Sequence, residues 1–393
     1  MFPHEPAEMQ MSERGLVLWK SSDSEPIVTR VAIAGDFLPT GQLELARCGG
    51  WKGAARALAP HFDDVITTFV NLECALDTVG LAARKVVGLG QTVSAPAVCV
   101  EYLREVRSVA VGFANNHSHD FGPAGVERTR QALTDQDIAL VGAGRTTADP
   151  PDVFVWQGAG DIRVGLWAAA KASHDFASRS RAGVESATLR RAKQALNSMK
   201  SQEVGFSIAL LHAGVLRTNQ PDPADVRLMD SMAAAGFDIV TASHSHRISG
   251  AKRAIVERAR PAFCFYGLGS LVSGYVTCPL EREGIIAVAG LKSRGTLASL
   301  EVRPVFLDTS GFGQAPSLEI SRTILDRFRE LSAELADGSS KRLFYKETSQ
   351  KAVKLYLRDA RAAFRESGIW GLARKTGRIR MRHLRRLTHG FFS

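Results

Sequence analysis

The feature that most constrains this chain is a repeated arrangement in which a short apolar run ends in polar side chains. Runs of β-branched and small apolar residues indicate buried strands. Such runs alternate with segments of helical periodicity, which predicts a layered α/β domain with the strands at its centre. Ligands in such sheets bind at the carboxyl ends of the strands, so the chemistry is expected there. The five runs are 27–36, 64–73, 108–117, 206–214 and 237–246.

The polar residues at these five ends are oxygen and nitrogen donors from separate segments of the chain. Carboxylate, imidazole and amide groups are the usual ligands of hard and borderline divalent cations. Such cations activate water and neutralise charge on a phosphoryl oxygen, which suits phosphoester hydrolysis. We therefore predict a centre for one or two ions of Mn, Zn or Fe. Its predicted ligands are Asp36, Glu73, Asn116, His212, His244 and His246.

Two of the motifs differ in how specific they are. In an extended strand, residues i and i+2 point to the same side, so His244 and His246 can face one centre. Such a pair taken alone is more often a loop or core feature. The cluster Asn-Asn-His-Ser-His-Asp at 115–120 is more informative, because a purely structural turn does not need so many polar groups. The structural alternative there is a turn that caps the following helix.

The rest of the chain predicts further helices and strands. Helical periodicity or propensity covers 123–137, 184–204, 224–236 (closed by Gly236), 317–338 and 349–367. Strand-like runs cover 138–144, a hairpin over 154–170 that turns at 158–161, and 264–274, with more through Phe306. Residues 1–26 resemble a loose leader.

Cysteine usage and the N-terminus bear on the compartment. The five cysteines are odd in number and form no CxxC pair, which favours scattered thiols in a reducing compartment. The N-terminus has no apolar run of signal-peptide length, and no stretch reaches the roughly 20 apolar residues of a spanning helix. We expect a cytoplasmic protein.

The net charge of +10 is concentrated at the C-terminus. Residues 341–393 hold fifteen Lys and Arg against three Asp and Glu. Three interpretations remain open for this basic tail: a solvated helical appendage, a peripheral contact with the inner face of the membrane, or binding of an acidic polymer. The tail has no pattern typical of a specific nucleic-acid-binding module.

Six motifs in order resemble one known family. They are GDFLPTG (35–41), NLECAL (71–76), ANNHSHDFG (114–122), LHAG (211–214), SHSH (243–246) and YGLGSL (266–271). In order and spacing they resemble the CapA-like proteins of poly-γ-glutamate and capsule biosynthesis, which are similar in fold to calcineurin-like metallophosphoesterases. The resemblance implies a four-layer α/β/β/α sandwich over residues 27–310. The helical periodicity and basic charge beyond it predict a helical, basic C-terminal extension over 311–393.

The resemblance also implies individual roles. Asp36 matches the first aspartate of the metal site, and Glu73 stands where a bridging carboxylate is expected. His117 matches the histidine that protonates the leaving group or stabilises the transition state, and Asp120 matches the carboxylate that orients it. The phosphoesterases usually have a histidine two residues after the first aspartate, where this chain has Leu38. The remaining matched ligands are Asn116, His212, His244 and His246.

The function expected from these observations is metal-dependent hydrolysis in the biosynthesis of a bacterial surface polymer. The bond is expected to be a phosphoester, with an amide less favoured. The expected partners are a polyanionic polymer or a small phosphorylated substrate. The alternative is a non-catalytic factor that binds polymer, or assembles with a membrane-associated synthase.

Overall fold

The computed structural model describes residues 10–41, 43, 45–83, 92–171, 173, 175–257 and 260–351. The strands are β1 (Gln10–Met11), β2 (Leu16–Lys20), β3 (Thr29–Gly41), β4 (Thr67–Leu72), β5 (Ala75–Leu76), β6 (Ser94–Ala95), β7 (Ser108–Gly112), β8 (Ala139–Val141), β9 (Ala143–Arg145), β10 (Val153–Gln157), β11 (Arg163–Ala170), β12 (Gly183–Val184), β13 (Phe206–His212), β14 (Ile239–Ser243), β15 (Ala251–Arg253), β16 (Phe263–Phe265), β17 (Ser270–Gly274), β18 (Glu283–Leu291), β19 (Leu297–Leu307) and β20 (Gly313–Gln314). The α-helices are α1 (Gly50–Arg56), α2 (Ala59–Phe62), α3 (Val100–Glu105), α4 (Gly122–Thr134), α5 (Leu189–Ser201), α6 (Pro223–Ala235) and α7 (Leu318–Ala336). Short 3₁₀ turns cover Leu45–Cys48, Ala97–Cys99, Pro279–Arg282 and Ser293–Gly295, and a further helical run spans 340–351.

Most strands belong to two large sheets. The first sheet has ten strands, with β3, β4, β7 and β8 adjacent and parallel. On the other side of β3, β18 pairs antiparallel with β3, and β19 pairs antiparallel with β18. β17 runs parallel to the second half of β3. The second sheet has six strands in the order β10-β11-β13-β14-β16-β15, and its four central strands are parallel. The carboxyl ends of each parallel set therefore share one edge of their sheet.

Three apolar clusters define four layers. One cluster fills the space between the sheets and includes Ile33 and Phe69 from the first sheet and Leu166 and Ile208 from the second. A second cluster joins the outer face of the first sheet to α1, α3 and α4, and a third joins the outer face of the second sheet to α5 and α6. Because alternate residues of a strand point to opposite faces, strands covered on both sides are apolar throughout. The α/β/β/α sandwich that the resemblance implied is confirmed.

The predicted elements match the structure closely in the parallel strands. The apolar runs at 64–73, 108–117, 206–214 and 237–246 contain β4, β7, β13 and β14, and the predicted hairpin is β10 and β11. Gly236 follows the last turn of α6 with φ of 140°, a conformation that favours glycine. The helix predicted over 349–367 lies outside the described residues, except for its first three positions.

Residues 10–20 do not form the loose leader that the sequence predicted. β1 and β2 make a hairpin, and β2 pairs antiparallel with β19 in the first sheet. Leu16 is fully buried in the cluster between the two sheets. The hairpin is stabilised in the first sheet because burial of its apolar side chains adds to the backbone hydrogen bonds between β2 and β19.

The C-terminal helix α7 also takes part in the core. Its buried residues Ile324, Leu325 and Phe328 join the cluster between the sheets, and the Phe328 ring stacks on Phe265 with centroids 6.5 Å apart. The chain beyond residue 310 therefore contributes apolar surface to the core as far as α7. Within the described part of the chain, we find no helix with both the length and the apolar character needed to cross a bilayer.

Candidate metal centre

Asp36 lies inside β3, at the point where this strand passes close to β17. Gly35 permits that approach, because a Cβ atom there would lie 2.0 Å from the carbonyl oxygen of Gly269. Asp36 is fully buried and accepts hydrogen bonds from Asn71 Nδ2 at 2.7 Å and from the backbone N–H of His244 at 3.2 Å. Its carboxylate is therefore fixed between the two sheets.

Glu73 follows β4 directly and stands between three imidazoles. Its Oε1 atom lies 3.4 Å from His212 Nε2 and 3.9 Å from His244 Nδ1, and its Oε2 atom lies 3.8 Å from His246 Nδ1. The side chain is only 1% exposed. Buried carboxylates are normally hydrogen-bonded or bound to a metal. Glu73 Oε2 and His244 Nδ1 are both buried without a hydrogen-bond partner among the described residues.

These side chains form two groups that can each hold a cation. In one group, donor atoms of Glu73, His212 and His244 lie within 4.8 Å of one another, and in the other those of Asp36, Glu73 and His246 do so. Glu73 belongs to both groups, as a bridging carboxylate would. Mixed oxygen and imidazole donors with orphaned buried atoms fit a divalent cation, so the residues present are suited to the metal that the sequence predicted.

Asn116 adds an amide oxygen to the first group. Its Oδ1 atom lies 2.6 Å from His212 Nε2, the imidazole nitrogen that also faces Glu73. The structure thus brings together all six residues predicted as ligands. Their role in binding a metal remains a prediction.

The two histidines of the SHSH motif lie just beyond β14, in a turn rather than in the extended strand that the sequence suggested. His244 has φ of 127° and His246 has φ of 54°, a region that residues with a Cβ atom seldom adopt. The ring centroids of His244 and His212 lie 4.5 Å apart, whereas those of His244 and His246 are 6.5 Å apart. The turn thereby directs one imidazole toward each group of ligands.

Burial and neighbouring charges shift the pKa values of the acids and bases in this site in different directions. Burial lowers the pKa of His212 well below its ordinary value, so this imidazole is neutral and has a lone pair to donate. Burial opposes ionisation of Asp36, but the hydrogen bond with His246 and its charge outweigh it and lower the pKa of this carboxyl. Burial also opposes a charge on His246, yet Glu73 and Asp36 raise its pKa to about 9.

His117 and Asp120 form a pair next to the ligands. His117 Nδ1 lies 2.8 Å from Asp120 Oδ2, and both side chains are largely buried. Burial alone would lower the pKa of His117, but the hydrogen bond with Asp120 and the charge of Glu73 raise it. The structure therefore places the two residues as the resemblance implied, although their catalytic roles remain a prediction.

Sequence reasoning gave no individual role to the two amides that support the ligands, although Asn115 lies in the predicted cluster 115–120 and Asn71 in the motif NLECAL. Asn71 Nδ2 lies 3.3 Å from His212 Nδ1 in addition to its contact with Asp36, and Asn115 Nδ2 donates to the backbone carbonyl of Leu72 at 2.7 Å. Asn71 lies in β4 two residues before Glu73, and this i, i+2 spacing in an extended chain is the signal that could have revealed it. Leu38 is buried in the cluster beneath the outer helices and offers no donor.

Comparison with known proteins identifies the family. Residues 30–275 match the family described as "Bacterial capsule synthesis protein PGA_cap", which is more than half of the 393 residues. The chain belongs to the PGA_cap family. The family predicted from the six motifs is therefore confirmed.

Two curated relatives carry related names. "Capsule biosynthesis protein CapA" of Bacillus anthracis is 24% identical over 269 residues, which covers 67% of this PGA_cap chain and 62% of that protein. "PGA biosynthesis protein CapA" of Bacillus subtilis (strain 168) is 24% identical over 210 residues, which covers 52% of this chain and 53% of that protein. The chain thus spans less than two thirds of the length of either relative.

Solved structures with lower sequence identity align over much of this PGA_cap chain. The NAD nucleotidase NadN of Haemophilus influenzae aligns with a TM-score of 0.41 and 11% identity, over 77% of this chain and 56% of that chain. A 5'-nucleotidase precursor from Thermus thermophilus aligns with a TM-score of 0.46 and 13% identity, over 77% of this chain and 58% of that chain.

Proposed function

We propose that this protein is a metal-dependent hydrolase that cleaves a phosphoester during the biosynthesis of a bacterial capsule or surface polymer. The observation that carries the proposal is the position of Glu73, a buried carboxylate shared by two groups of imidazole and carboxylate donors. A divalent cation held there supplies an activated water molecule and neutralises charge on the phosphoryl oxygens. Asp36, Asn116, His212, His244 and His246 would hold it together with Glu73.

We assign protonation of the leaving group to His117. Asp120 accepts a hydrogen bond from Nδ1 of the His117 ring, so Nε2 is the nitrogen that can exchange a proton with substrate. Burial opposes a charge on the ring, but the hydrogen bond to Asp120 raises its pKa and so favours the protonated form that a general acid requires. Its side chain is 17% exposed, enough for contact with a bound substrate at the edge of the sheet.

Two observations support a substrate class: membership of the family, and the positive charge of the cations that the centre would hold. Membership of the PGA_cap family supports a polymer of the capsule type, and the names of the two CapA relatives support the same process. A centre of one or two cations favours an anionic group at the reacting position. We therefore propose a polyanionic polymer or a small phosphorylated precursor as the substrate.

A single set of measurements tests the proposal. The purified protein is incubated with Mn²⁺ or Zn²⁺, dialysed, and measured for metal content and for hydrolysis of p-nitrophenyl phosphate and bis-p-nitrophenyl phosphate. We expect bound metal and metal-dependent turnover, and we expect Glu73→Gln to lose both. As a matched control, Glu101→Gln alters a partly exposed carboxylate on α3 and should change neither.

Two outcomes would contradict the proposal in different ways. Absence of bound metal after incubation with both cations would exclude the metal centre. Bound metal without turnover on either ester would favour the alternative of a polymer-binding assembly factor.

A further inference from the structure

The turn that carries His244 and His246 needs support from its surroundings. Both residues have positive φ, and such conformations persist where the neighbouring structure fixes them. One support comes from the segment after β13: the backbone N–H of Arg217 donates to the carbonyl oxygen of Ser245 at 2.8 Å. Within the turn, Ser245 Oγ donates to the carbonyl oxygen of Arg247 at 3.0 Å.

Arg247 connects this turn to three other parts of the chain. Its guanidinium lies 3.3 Å from Asn219 Oδ1, 3.1 Å from Cys278 Sγ and 3.7 Å from Glu347 Oε1. Its side chain is 13% exposed. Asn219 also donates from Nδ2 to the carbonyl oxygen of Ile248 at 2.9 Å. Asn219 therefore binds both the side chain of Arg247 and the backbone of the next residue.

The helical run 340–351 completes this set of contacts. Glu347 approaches Arg247 from this helix and also accepts a hydrogen bond from Lys351 at 2.9 Å. Lys351 in turn donates to the backbone carbonyl of Arg217. One helix therefore contacts both the segment that follows His212 and the turn that carries the other two histidines. This helix lies beyond residues 30–275, the part that matches the family.

We propose that Arg247 is a positioning residue for the metal centre and that the helix 340–351 stabilises the histidine turn through Glu347. The contacts preset His244 and His246 before a metal binds. The part of the proposal that concerns metal affinity rests on the proposed function, whereas the part that concerns the conformation of the turn does not. Partners that orient ligands in this way commonly change metal affinity by about 10- to 100-fold.

The first test uses the metal-free full chain. Amide hydrogen exchange is measured over residues 243–249 after treatment with a chelator, in wild type, Arg247→Met and Glu347→Gln. We expect exchange in this segment to become roughly tenfold faster in Arg247→Met and about threefold faster in Glu347→Gln, because local opening becomes easier. Arg247→Lys retains the charge near Glu347 and should recover part of the protection.

A matched control separates this effect from general loss of an ion pair. Asp326→Asn removes an ion pair on the surface of α7, in which Arg329 Nη1 lies 2.8 Å from Asp326 Oδ1. Exchange over 243–249 should match wild type in this variant. Unchanged exchange in both Arg247→Met and Glu347→Gln would overturn the proposal, and Glu347→Gln alone decides it if Arg247→Met does not fold.

Metal affinity provides the second readout. Titration with Mn²⁺ should show the weakest binding in Arg247→Met, intermediate binding in Glu347→Gln and the tightest binding in wild type. The midpoints of global unfolding should be similar in all three proteins. Faster exchange with unchanged affinity would overturn the link between the turn and the metal. If wild type binds no metal, the proposed function fails, and the exchange measurement still decides whether Arg247 and Glu347 hold the turn.

Discussion

Asp120 Oδ2 accepts two hydrogen bonds at once, from His117 Nδ1 and from the backbone N–H of Val93, each at 2.8 Å. The carboxylate is thereby fixed by a separate segment of the chain, and it fixes the imidazole in turn. A carboxylate at Nδ1 selects the orientation and tautomer of a histidine and favours its protonated form.

The first prediction concerns this pair. His117→Asn should lower kcat on phosphoester substrates by roughly 10²- to 10⁴-fold, because loss of a general acid costs that much, while metal content stays unchanged. Asp120→Asn should lower kcat less, since the ring remains but is poorly oriented. Steady-state kinetics and elemental analysis of the same preparations check both. Full turnover in His117→Asn would show that another group protonates the leaving oxygen.

The second prediction concerns the number of metal ions. Among the residues that the structure describes, one group of donors comprises Glu73, Asn116, His212 and His244. The other comprises Asp36, Glu73 and His246, because Leu38 offers no ligand. We expect one ion to bind at least about tenfold more tightly than the other, since a site with fewer ligands holds its ion more weakly. Calorimetric titration with Mn²⁺, together with elemental analysis after dialysis, measures this. Two ions of equal affinity would contradict the prediction.

The sequence predicts the site well where the signal is local. An apolar run followed by Asp36 or Glu73 identifies both the strand and the ligand, and parallel strands then bring distant ligands to one edge of each sheet. Asn71 was missed because it lies inside a strand, where its neighbours suggest core packing. Its role depends on the approach of His212 from the other sheet, which is 141 residues away in the chain.

Contacts between residues far apart in the sequence explain the other differences between the predicted and the observed structure. The leader carries the apolar sequence LVLW, but its partner β19 lies some 280 residues later, and no local pattern indicates that pairing. The periodicity of α7 correctly predicts an amphipathic helix. It does not indicate that Phe328 packs on Phe265 in the core between the two sheets.

The third prediction concerns a buried ion pair outside the site. Glu185 and Arg191 lie 2.6 Å apart with side chains 8% and 3% exposed. Glu185→Gln should lower the free energy of unfolding by about 3 kcal/mol, because it leaves a guanidinium charge buried without its counterion. Glu203→Gln removes a more exposed pair with Arg163 and should cost less than about 1 kcal/mol. Urea unfolding of both variants tests the difference, and equal effects would contradict it.

The fourth prediction concerns the pH dependence of stability at His61, a buried residue of α2. This imidazole is buried with its Nε2 atom 2.7 Å from the carbonyl oxygen of Pro304, and burial lowers its pKa to about 4. The folded protein therefore keeps His61 neutral, whereas the unfolded chain takes up a proton below about pH 6.5. Stability is full above that pH and is lost as the pH falls toward 4.

The expected size follows from the shift in pKa. Between pH 7 and pH 5, His61 should lower the free energy of unfolding by about 2 kcal/mol. His61→Gln retains a donor for Pro304 but cannot titrate, so its stability should fall less over the same range. Urea unfolding at pH 5, 6 and 7 in wild type and His61→Gln measures the difference between the two curves. Parallel curves would show that other groups cause the pH dependence, because a titrating His61 must make the wild-type curve steeper.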